Sequence, residues 1–511
     1  MSGWEQTAVT LLTFLPAAGA IVVALIPRGR DRAAQVLGVL FTGGALVVGI
    51  AVLFGFDYGA GGGYQFELQT TWITSLGVGY HVGIDGISLP LVELTLLTTF
   101  LCAVYCMNRM PPGGSPKALI SLMLLLETGM LGTFVALDLM LFFVFWEMVL
   151  VPMYFMIGVW GSGNRQYAAT KFFLFTFFGS VFMLLAFIGT AFQADPHTFD
   201  IVLLQRSGSA ISHTLQLVLF GGMFLGFAVK VPMWPLHTWL PDAHTEAPTV
   251  GSVLLAGVLL KMGAYGFIRI ALPLLPYAAV KFAPYIAVLA GIAIVYASLA
   301  CLAQRDLKRL IAYSSVGHMG FVMLGIATLT PLGIDAAIFG MVAHGVITGM
   351  LFFEVGSIYD RYHTRQLADL GGGMMQIMPR MGAVFWLTCI ASLGLPGLAG
   401  FWGEVLSLFA AYNPAAGLSV PLYRTIMVFG GIGTILTAGY LLWTVQRVNM
   451  GVLPDRWGQA GATLVDTSRG EWVAWAPLVV LMVLLGLVPS LIFSITNDAV
   501  TAISHVIGVV P

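Results

Sequence analysis

The chain has 511 residues, of which 59% are hydrophobic and only 9% are charged, and its formal net charge is −1. A soluble domain carries about 25% charged residues, so this composition indicates a polytopic membrane protein without a soluble domain. The near-zero net charge argues against nucleic acid as a partner. We therefore expect the lipid bilayer to be the main surrounding of the chain.

The cysteines and the short motifs give no sign of a bound cofactor. Cys102, Cys106, Cys301 and Cys389 lie inside apolar runs and lack the spacing of metal ligands, which indicates small core residues. The sequence has no P-loop, no glycine-rich dinucleotide motif and no cysteine cluster for iron–sulfur. If the chain serves a redox machine, we expect its partners to hold the cofactors.

Long apolar runs predict fourteen membrane spans, because a span needs about 20 apolar residues. In chain order the predicted spans cover residues 6–27, 33–56, 86–107, 117–136, 138–160, 167–192, 213–230 with a re-entrant continuation to 241, 248–271, 283–303, 309–328, 334–358, 380–411 with an interruption, 424–448 and 473–495. The first run is too long for a signal peptide and is followed by arginines. We predict an uncleaved first span with its N-terminus outside.

The basic residues support this count. With the N-terminus outside, every odd-numbered connection lies inside, and most of the 22 basic residues fall in these connections. The bias predicts fourteen spans with both termini outside, and it leaves Lys230 and Lys261 within the membrane. Between the spans, residues 57–85 predict a short hairpin, and the polar loop 449–472 predicts an amphipathic segment.

Titratable residues occur in predicted spans five, seven, eight, ten, eleven and twelve. They are Glu147, Lys230, Lys261, His318, His344 and Glu404. Taken singly, each has a structural interpretation, because a buried acid can be protonated and a lone histidine is more often a core donor than a relay. Together they form a chain of titratable groups at membrane depth, which marks a proton or ion pathway.

A lysine and an acid at membrane depth can form a proton-loading pair. Burial weakens the hold of a lysine on its proton and a nearby carboxylate strengthens it, so a lysine with a movable acid partner can load and release a proton. Glu147 is the predicted partner of Lys230. We expect a structural role for Glu127. For Glu354 the sequence leaves two interpretations open, a cap near the inner face or an extra titratable site.

Two of the predicted helices are interrupted by proline. Pro232 and Pro235 follow Lys230 in the seventh span, and Pro396 precedes Glu404 in the twelfth. Proline removes a backbone hydrogen bond that hydrocarbon cannot replace. Paired interruptions in the two halves of a transporter indicate an inverted repeat and the position of the ion path. The first break would place Lys230 at a half-helix C-terminus, where the helix dipole favours a cation.

Four segments resemble the antiporter-like subunits of respiratory complex I, the proton-translocating NADH:quinone oxidoreductase. They are WEMVLVPMYF at 146–155, KVPMWPLHTWLPDAHTEAPTVGSVLLAGVLLKMGAYG at 230–266, QRDLKRLIAYSSVGHMGF at 304–321 and GLPGLAGFWGE at 394–404. The resemblance covers nearly the whole chain. It is strongest to the bacterial subunit M branch, the counterpart of mitochondrial NADH dehydrogenase subunit 4. The sister subunits usually place lysine in the twelfth helix, where this chain has Glu404.

The resemblance implies an all-α polytopic membrane protein with about fourteen transmembrane helices, two inverted five-helix repeats, and interruptions in helices seven and twelve. On that pattern residues 1–116 hold three N-terminal helices, 117–272 the first repeat, 273–449 the second repeat, and 450–511 a C-terminal loop and the last helix. The implied proton channel consists of Glu147, Lys230, Lys261, Glu404, His318, His344 and His237.

The resemblance also implies a cellular setting. The chain would be one subunit of an H+-translocating enzyme in the bacterial inner membrane, beside L-like and N-like antiporter-like subunits. It would carry no redox centre, because FMN, iron–sulfur clusters and quinone belong to partner subunits.

Three hypotheses follow from the sequence. The first is a complex I subunit that moves protons, driven by electron transfer elsewhere. The second is a subunit of a multi-chain sodium/proton antiporter without redox chemistry, against which Glu404 argues. The third is a scaffold with a vestigial polar axis, which is disfavoured because buried charges are costly and leucine would avoid the cost.

Overall fold

The computed structural model describes residues 3–207, 211–460 and 464–507. The helices of the first third are α1 Gly3–Leu25, α2 Asp31–Gly55, α3 Ser88–Cys106, α4 Pro116–Val135, α5 Leu139–Met148, α6 Leu150–Trp160 and α7 Arg165–Ala191. A hairpin of β1 Gln65–Ile73 and β2 Val78–Ile84 lies between α2 and α3. The middle third contains α8 Ile201–Ser207, α9 His213–Lys230, α10 Trp239–Glu246, α11 Thr249–Leu254, α12 Leu260–Gly266, α13 Leu272–Leu274, α14 Pro276–Ala303 and α15 Leu307–Ala327.

The last third contains α16 Pro331–Tyr362, α17 Leu367–Leu370, α18 Met374–Ile377, α19 Pro379–Ser392, α20 Gly400–Tyr412, α21 Val420–Val448, α22 Asp455–Ala460, α23 Arg469–Leu487 and α24 Ser490–Ile507. Within the described residues, fourteen helices are long and apolar enough to cross a membrane. In this count α5 and α6 form one span, and α11 to α13 form another together with two π-helical turns. The chain is a multi-pass membrane protein.

Twelve of the predicted spans match helices of this count. The interrupted twelfth span, 380–411, corresponds to the shorter helices α19 and α20, which are not among the fourteen, and the predicted last span differs from the structure. The predicted last span, 473–495, runs through a helix break: α23 ends at Leu487, and the separate helix α24 begins at Ser490. Val488 precedes a proline and has a non-helical backbone (φ −128°, ψ 66°), as expected for a residue in that position. The apolar run continues through the break, so hydropathy alone did not show it.

Both predicted helix interruptions are present. Helix α9 ends at Lys230, and the chain becomes helical again only at α10, where the indole of Trp239 donates a hydrogen bond to the carbonyl of Val229. The second break separates α19 from α20. Gly394 and Gly397 take φ values of +81° and +92° there, which residues with a Cβ adopt only with strain.

The centre of the bundle is the span that carries Lys261. Every residue from Val250 to Leu275 is buried, and nearly all of α15 and α16 is buried as well. The outer helices α1, α2 and α21 keep an exposed apolar face. A helix that is apolar and buried all round lies in the core of a bundle, so a charged group on it needs partners within the protein.

One end of the bundle is closed by the predicted hairpin, which the structure confirms. His81 of β2 contacts Glu67 of β1 through Nε2 at 2.8 Å and Asp200, just before α8, through Nδ1 at 2.7 Å. Burial lowers the pKa of His81, but the two carboxylates outweigh burial and raise it above 6.5. Burial opposes ionisation of Asp200, but its hydrogen bonds to His81 and to backbone amides hold its pKa below 3.8.

A buried ion pair lies near the same end. The guanidinium of Arg269 donates to the carboxylate of Asp85, and both residues are at most 2% exposed. The rings of Tyr64 and Tyr265 lie 5.2 and 5.4 Å from the guanidinium carbon. Arg269 falls near the end of the predicted span 248–271, and its burial was not predicted. The pair joins the hairpin segment, the start of α3 and the central span.

The opposite end carries the basic connections. Arg109 pairs with Asp360, and Arg365 donates to the carbonyl of Thr245. A cavity of about 770 Å³ opens among these connections, lined by Arg109, Arg365 and Lys308 with Tyr105. The polar loop 449–472 contains the short helix α22, and residues 461–463 of it lie outside the described part.

Candidate functional site

Lys261 lies at the middle of the bundle and is completely buried. Its helix, α12, is flanked by π-helical turns at Leu255–Leu259 and Phe267–Ala271, a feature that is frequent at functional sites. Its ammonium donates to the carbonyl of Ala256 and lies 2.6 Å from Nδ1 of His344. Because an ammonium has no acceptor, Nδ1 of His344 accepts this bond while Lys261 is charged.

His318 forms a second close pair, with Glu404. Nδ1 of His318 is 2.7 Å from Oε1 of Glu404, and its Nε2 is 3.1 Å from the hydroxyl of Ser392. Glu404 lies just over one turn into α20, near the helix end that favours an anion. The close packing of α20 against α16 depends on two glycines, because a Cβ on Gly403 would lie 2.6 Å from the Cα of Gly340.

The two pairs meet at a small cavity. The rings of His318 and His344 have centroids 5.8 Å apart, and both line a cavity of about 30 Å³. Three buried atoms at this cavity have no hydrogen-bond partner among the described residues: Nε2 of His344, Oγ1 of Thr348 and Oε2 of Glu404. A space of this size with several polar partners accommodates a water molecule. We call Lys261, His344, His318 and Glu404 the histidine chain.

Lys230 lies in a separate cluster with Trp146 and Glu147. Lys230 is 2% exposed and ends α9, and its Nζ lies 5.0 Å from the centre of the Trp146 ring. Glu147 acts on Lys230 electrostatically, and its Oε1 is buried without a hydrogen-bond partner. The structure therefore brings together the acid and the lysine that the sequence predicted as partners.

The two clusters are connected by close helix packing. A Cβ added at Gly263 of α12 would lie 2.7 Å from the carbonyl oxygen of Phe227 in α9. The break after Lys230 is therefore held directly against the helix that carries Lys261.

His237 is placed away from the histidine chain. It is 3% exposed and lies against the rings of Tyr296 and Tyr313, with centroids 5.2 and 6.4 Å away. The charge of Lys171 also acts on it. The structure thus does not place His237 in contact with the other predicted site residues.

His244 takes a central position that the sequence reasoning passed over. It is completely buried, its ring stacks on Phe352 at 4.6 Å, and neither ring nitrogen has a hydrogen-bond partner. The charges of Lys261 and Lys308 both act on it. The available signal was its position in the same segment as His237, two helical turns further on.

Lys308 is a second residue that the sequence reasoning missed as buried. It falls between the predicted spans 283–303 and 309–328, in a connection expected on the inside, but it is only 5% exposed and donates to the carbonyl of Ala247. It also lines the 770 Å³ cavity. Lys308 and His244 therefore lie between this cavity and Lys261.

The two remaining acids are both completely buried. Glu127 has no hydrogen-bond partner on either oxygen. Glu354 has one partner, the hydroxyl of Thr388 at 3.2 Å, and its Oε2 has none. Its full burial does not fit the interpretation of Glu354 as a cap near the inner face.

The chemistry that these residues offer is proton binding and release. Within residues 3–207, 211–460 and 464–507, no group of three or more His, Cys, Asp or Glu side chains is arranged to hold a metal ion. The four cysteines are free and buried. What the site does contain is two close pairs of titratable side chains, Lys261 with His344 and His318 with Glu404, beside one small cavity.

Comparisons with known proteins agree with the geometry. Residues 136–433 match the model of a family described as NADH:quinone oxidoreductase/Mrp antiporter, transmembrane. The chain is 42% identical to NADH-quinone oxidoreductase subunit M of Rhodobacter capsulatus, over 97% of this chain and 96% of that protein. It is 40% identical to the subunit M of Rickettsia conorii, over 97% of this chain and 98% of that protein.

Among solved structures, the chain resembles one from respiratory complex I of Thermus thermophilus, with a TM-score of 0.86 and 28% identity over 98% of this chain and all of that chain. A chain of the Mrp complex from Dietzia sp. has a TM-score of 0.84 over the whole of both chains, but only 18% identity, so that likeness shows the fold alone.

Proposed function

The chain belongs to the NADH:quinone oxidoreductase/Mrp antiporter family, and from this premise we propose that it is a proton-translocating membrane-arm subunit of NADH:quinone oxidoreductase. It moves protons through buried Glu, Lys and His side chains, driven by electron transfer in other subunits. The observation that carries the proposal is the histidine chain. From Lys261 to Glu404 it contains two contacts of 2.6 and 2.7 Å, which meet at one small cavity.

The histidine chain can pass a proton by exchange along its bonds. Lys261 gives a proton to Nδ1 of His344, and His344 releases the proton on its Nε2 into the shared cavity. Oε2 of Glu404, which has no other partner, accepts it through a water there. His318 holds the other oxygen of Glu404 and orients it. Histidine suits this step because its two nitrogens can bind and release a proton near neutral pH.

Glu147 and Lys230 act as the coupling pair. A carboxylate that approaches or leaves Lys230 changes how tightly the lysine holds its proton. The break after Lys230 supports this role, because the shortened helix lets the lysine and the chain behind it move without breaking a continuous hydrogen-bond ladder. Lys261 then relays the proton toward the histidine chain. His237 would serve a neighbouring step, near Tyr313.

The assembly is proposed from the relatives. L-like and N-like antiporter-like subunits would be the neighbours, and FMN, iron–sulfur clusters and quinone would be held by other subunits, with none in this chain. The membrane would be the bacterial inner membrane, with both termini outside. The breaks in the seventh and twelfth spans support two inverted five-helix repeats, at 117–272 and 273–449, between the N-terminal helices at 1–116 and the C-terminal part at 450–511.

The test is proton pumping by the assembled complex in inverted membrane vesicles supplied with NADH. Lys261→Ala and Lys230→Ala are expected to abolish or strongly reduce acidification while the complex still assembles, and Glu147→Ala is expected to do the same. Lys281→Ala is the matched control, because that lysine lies over the ring of Tyr277 at the end of α14, away from the site. Wild-type pumping in all three site variants would refute the proposal.

The same vesicles distinguish the antiporter alternative. A sodium/proton antiporter would exchange sodium without NADH, whereas the proposed subunit acidifies the vesicles only during NADH oxidation. Sodium exchange that persists without NADH would favour the alternative. The higher identity to the complex I chain than to the Mrp chain, 28% against 18%, supports the first function.

A further inference from the structure

We propose that Glu354 is a second proton-loading site, on a side branch that reaches His318 through the hydroxyls of Thr388 and Ser392. The inference rests on the proposed function, because the branch ends in the histidine chain. It adds a route that joins this chain at His318 and bypasses Lys261.

The first contact of the branch is between Glu354 and Thr388. Glu354 is completely buried in α16, and within the part of the chain that the structure describes no Lys, Arg or His forms an ion pair with it. Ionising an unpaired buried carboxyl is very costly, so the resting carboxyl carries a proton. The hydroxyl of Thr388 donates to the carbonyl of Val384 at 2.9 Å, which leaves its oxygen free to accept from the Glu354 carboxyl, 3.2 Å away.

The last contact is between Ser392 and His318, at 3.1 Å. Thr388 and Ser392 are four residues apart on α19, so they lie on one face of the helix and about 6 Å apart along its axis. One water molecule spans that distance. Ser392 also lines the 30 Å³ cavity of the histidine chain, so the end of the branch opens into space that holds water.

After it has released its proton, Glu354 can take up another from the basic end of the bundle. Ser357 follows Glu354 by three residues on α16, which places both side chains on the same face. The hydroxyl of Tyr105 lies 3.5 Å from that of Ser357, and Tyr105 lines the 770 Å³ cavity. On this route a proton from the cavity passes the hydroxyls of Tyr105 and Ser357, and one further water molecule is needed between Ser357 and Oε2 of Glu354, which has no partner among the described residues.

The proton balance of the step is simple. Glu354 gives its proton to Thr388, each hydroxyl or water passes on its own hydrogen, and Nε2 of His318 receives one from Ser392. His318 then gives the proton on Nδ1 to Oε1 of Glu404. Glu354 ends as a carboxylate and Glu404 as a carboxylic acid, so one proton has moved. His318 ends with its proton on Nε2 instead of Nδ1, and the hydroxyls and the water end with reversed hydrogen-bond directions, so these groups must turn back before the next transfer.

The test uses the assembled complex in inverted vesicles. Glu354→Gln keeps a polar partner for Thr388 but cannot release a proton, and Thr388→Val removes the hydroxyl at constant shape. Each is expected to lower the protons pumped per NADH oxidised roughly twofold or more, because a buried acid within a proton path carries flux. The matched control is Asp335→Asn. Asp335 is another buried acid of α16 with one threonine partner, Thr496 at 2.6 Å, and that pair lies away from His318.

Infrared difference spectra of the complex during turnover supply a second readout that a structural role would not change. A band of a protonated carboxyl should appear in the wild type and be missing in Glu354→Gln. Wild-type pumping by Glu354→Gln, or pumping by Thr388→Val at the wild-type ratio, would overturn the branch. His318→Ala separates the two proposals: if it abolishes pumping while Glu354→Gln does not, the branch fails and the proposed function stands. If His318→Ala also pumps normally, the proposed function fails.

Discussion

Nζ of Lys261 lies 2.6 Å from Nδ1 of His344, and both side chains are buried in the centre of the bundle. Because the ammonium can only donate, the two residues share one proton between a strong base and a weak one. Any group that shifts toward Lys261 or away from it changes which of the two holds that proton. This contact links the central span to the histidines and the acid of the second half.

We predict that the two residues are energetically coupled. His344→Leu removes a partner of a buried lysine, which we expect to destabilise the chain by about 3–5 kcal/mol. Adding Lys261→Met to that variant should recover much of the loss, since removing both partners leaves no buried charge. Thermal unfolding of the purified complex measures the coupling. If the stability losses of His344→Leu and Lys261→Met simply add in the double variant, the two residues are not coupled. Neither variant is expected to pump.

We predict that His244 is a proton carrier. His244→Phe keeps the stacking on Phe352 at 4.6 Å but removes both ring nitrogens, so the complex should assemble normally and pump less. A positioned proton-transfer group contributes roughly 10²–10⁴ to a rate, so the loss should be large if His244 is on the main route. The initial rate of NADH-driven acidification is the measurement. The control is His213→Phe, because His213 stacks on Tyr277 at 3.8 Å at the start of α9. Equal pumping by both variants would contradict the prediction.

We predict that Gly403 sets the distance between His318 and Glu404. In Gly403→Ala the new methyl group would meet the backbone of Gly340 at 2.6 Å, so α20 has to shift and carry Glu404 with it. Overpacking of this kind costs about 1–3 kcal/mol, and pumping should fall with it. Gly439→Ala is the control, since nothing lies within 4 Å of its added Cβ. Wild-type pumping by Gly403→Ala would show that the helix contact tolerates the methyl group.

We predict that the pair of Asp85 and Arg269 is essential for assembly. Asp85→Asn leaves a buried guanidinium without its carboxylate, which costs about 3–5 kcal/mol. The variant complex should be scarce in membranes, as measured by the amount of assembled enzyme. Asp57→Asn is the control, because Asp57 is exposed and its contacts are within its own loop. Normal assembly of Asp85→Asn would show that the tyrosine rings hold Arg269 sufficiently.

We predict a pH window for the attachment of the hairpin. The pKa of His81 is raised in the folded protein, so its contribution is present below about pH 6.5 and is lost as the pH rises through the raised pKa. The pKa of Asp200 is lowered, so its contribution is lost as the pH falls through that lowered value. The hydrogen-exchange protection factors of the hairpin amides, which correct for the intrinsic pH dependence of exchange, should therefore be highest at mildly acidic pH. In His81→Phe these amides should not lose protection as the pH rises above neutral. If protection in the wild type does not change with pH, the assignment of the window to His81 and Asp200 is wrong.

Much of this protein was predictable from its sequence. Membrane spans depend on the local density of apolar residues, so most of them could be located from composition and length. The proline breaks after Lys230 and before Glu404 depend on covalent geometry, which is also local. The titratable residues of the histidine chain stood out because charged and polar groups are rare in apolar runs.

Which of these groups touch was decided by the tertiary structure alone. Lys261 and His344 are 83 positions apart, and Glu354 and Thr388 are 34 apart, so only the packing of helices brings each pair together. The same packing separated His237 from the site and buried His244, Lys308 and Arg269, although their sequence neighbourhoods did not mark them. The pattern of apolar residues along the chain indicates which residues lie within the membrane. It carries no information about which neighbour a side chain meets, because that depends on the rotation and spacing of helices that are distant in the chain.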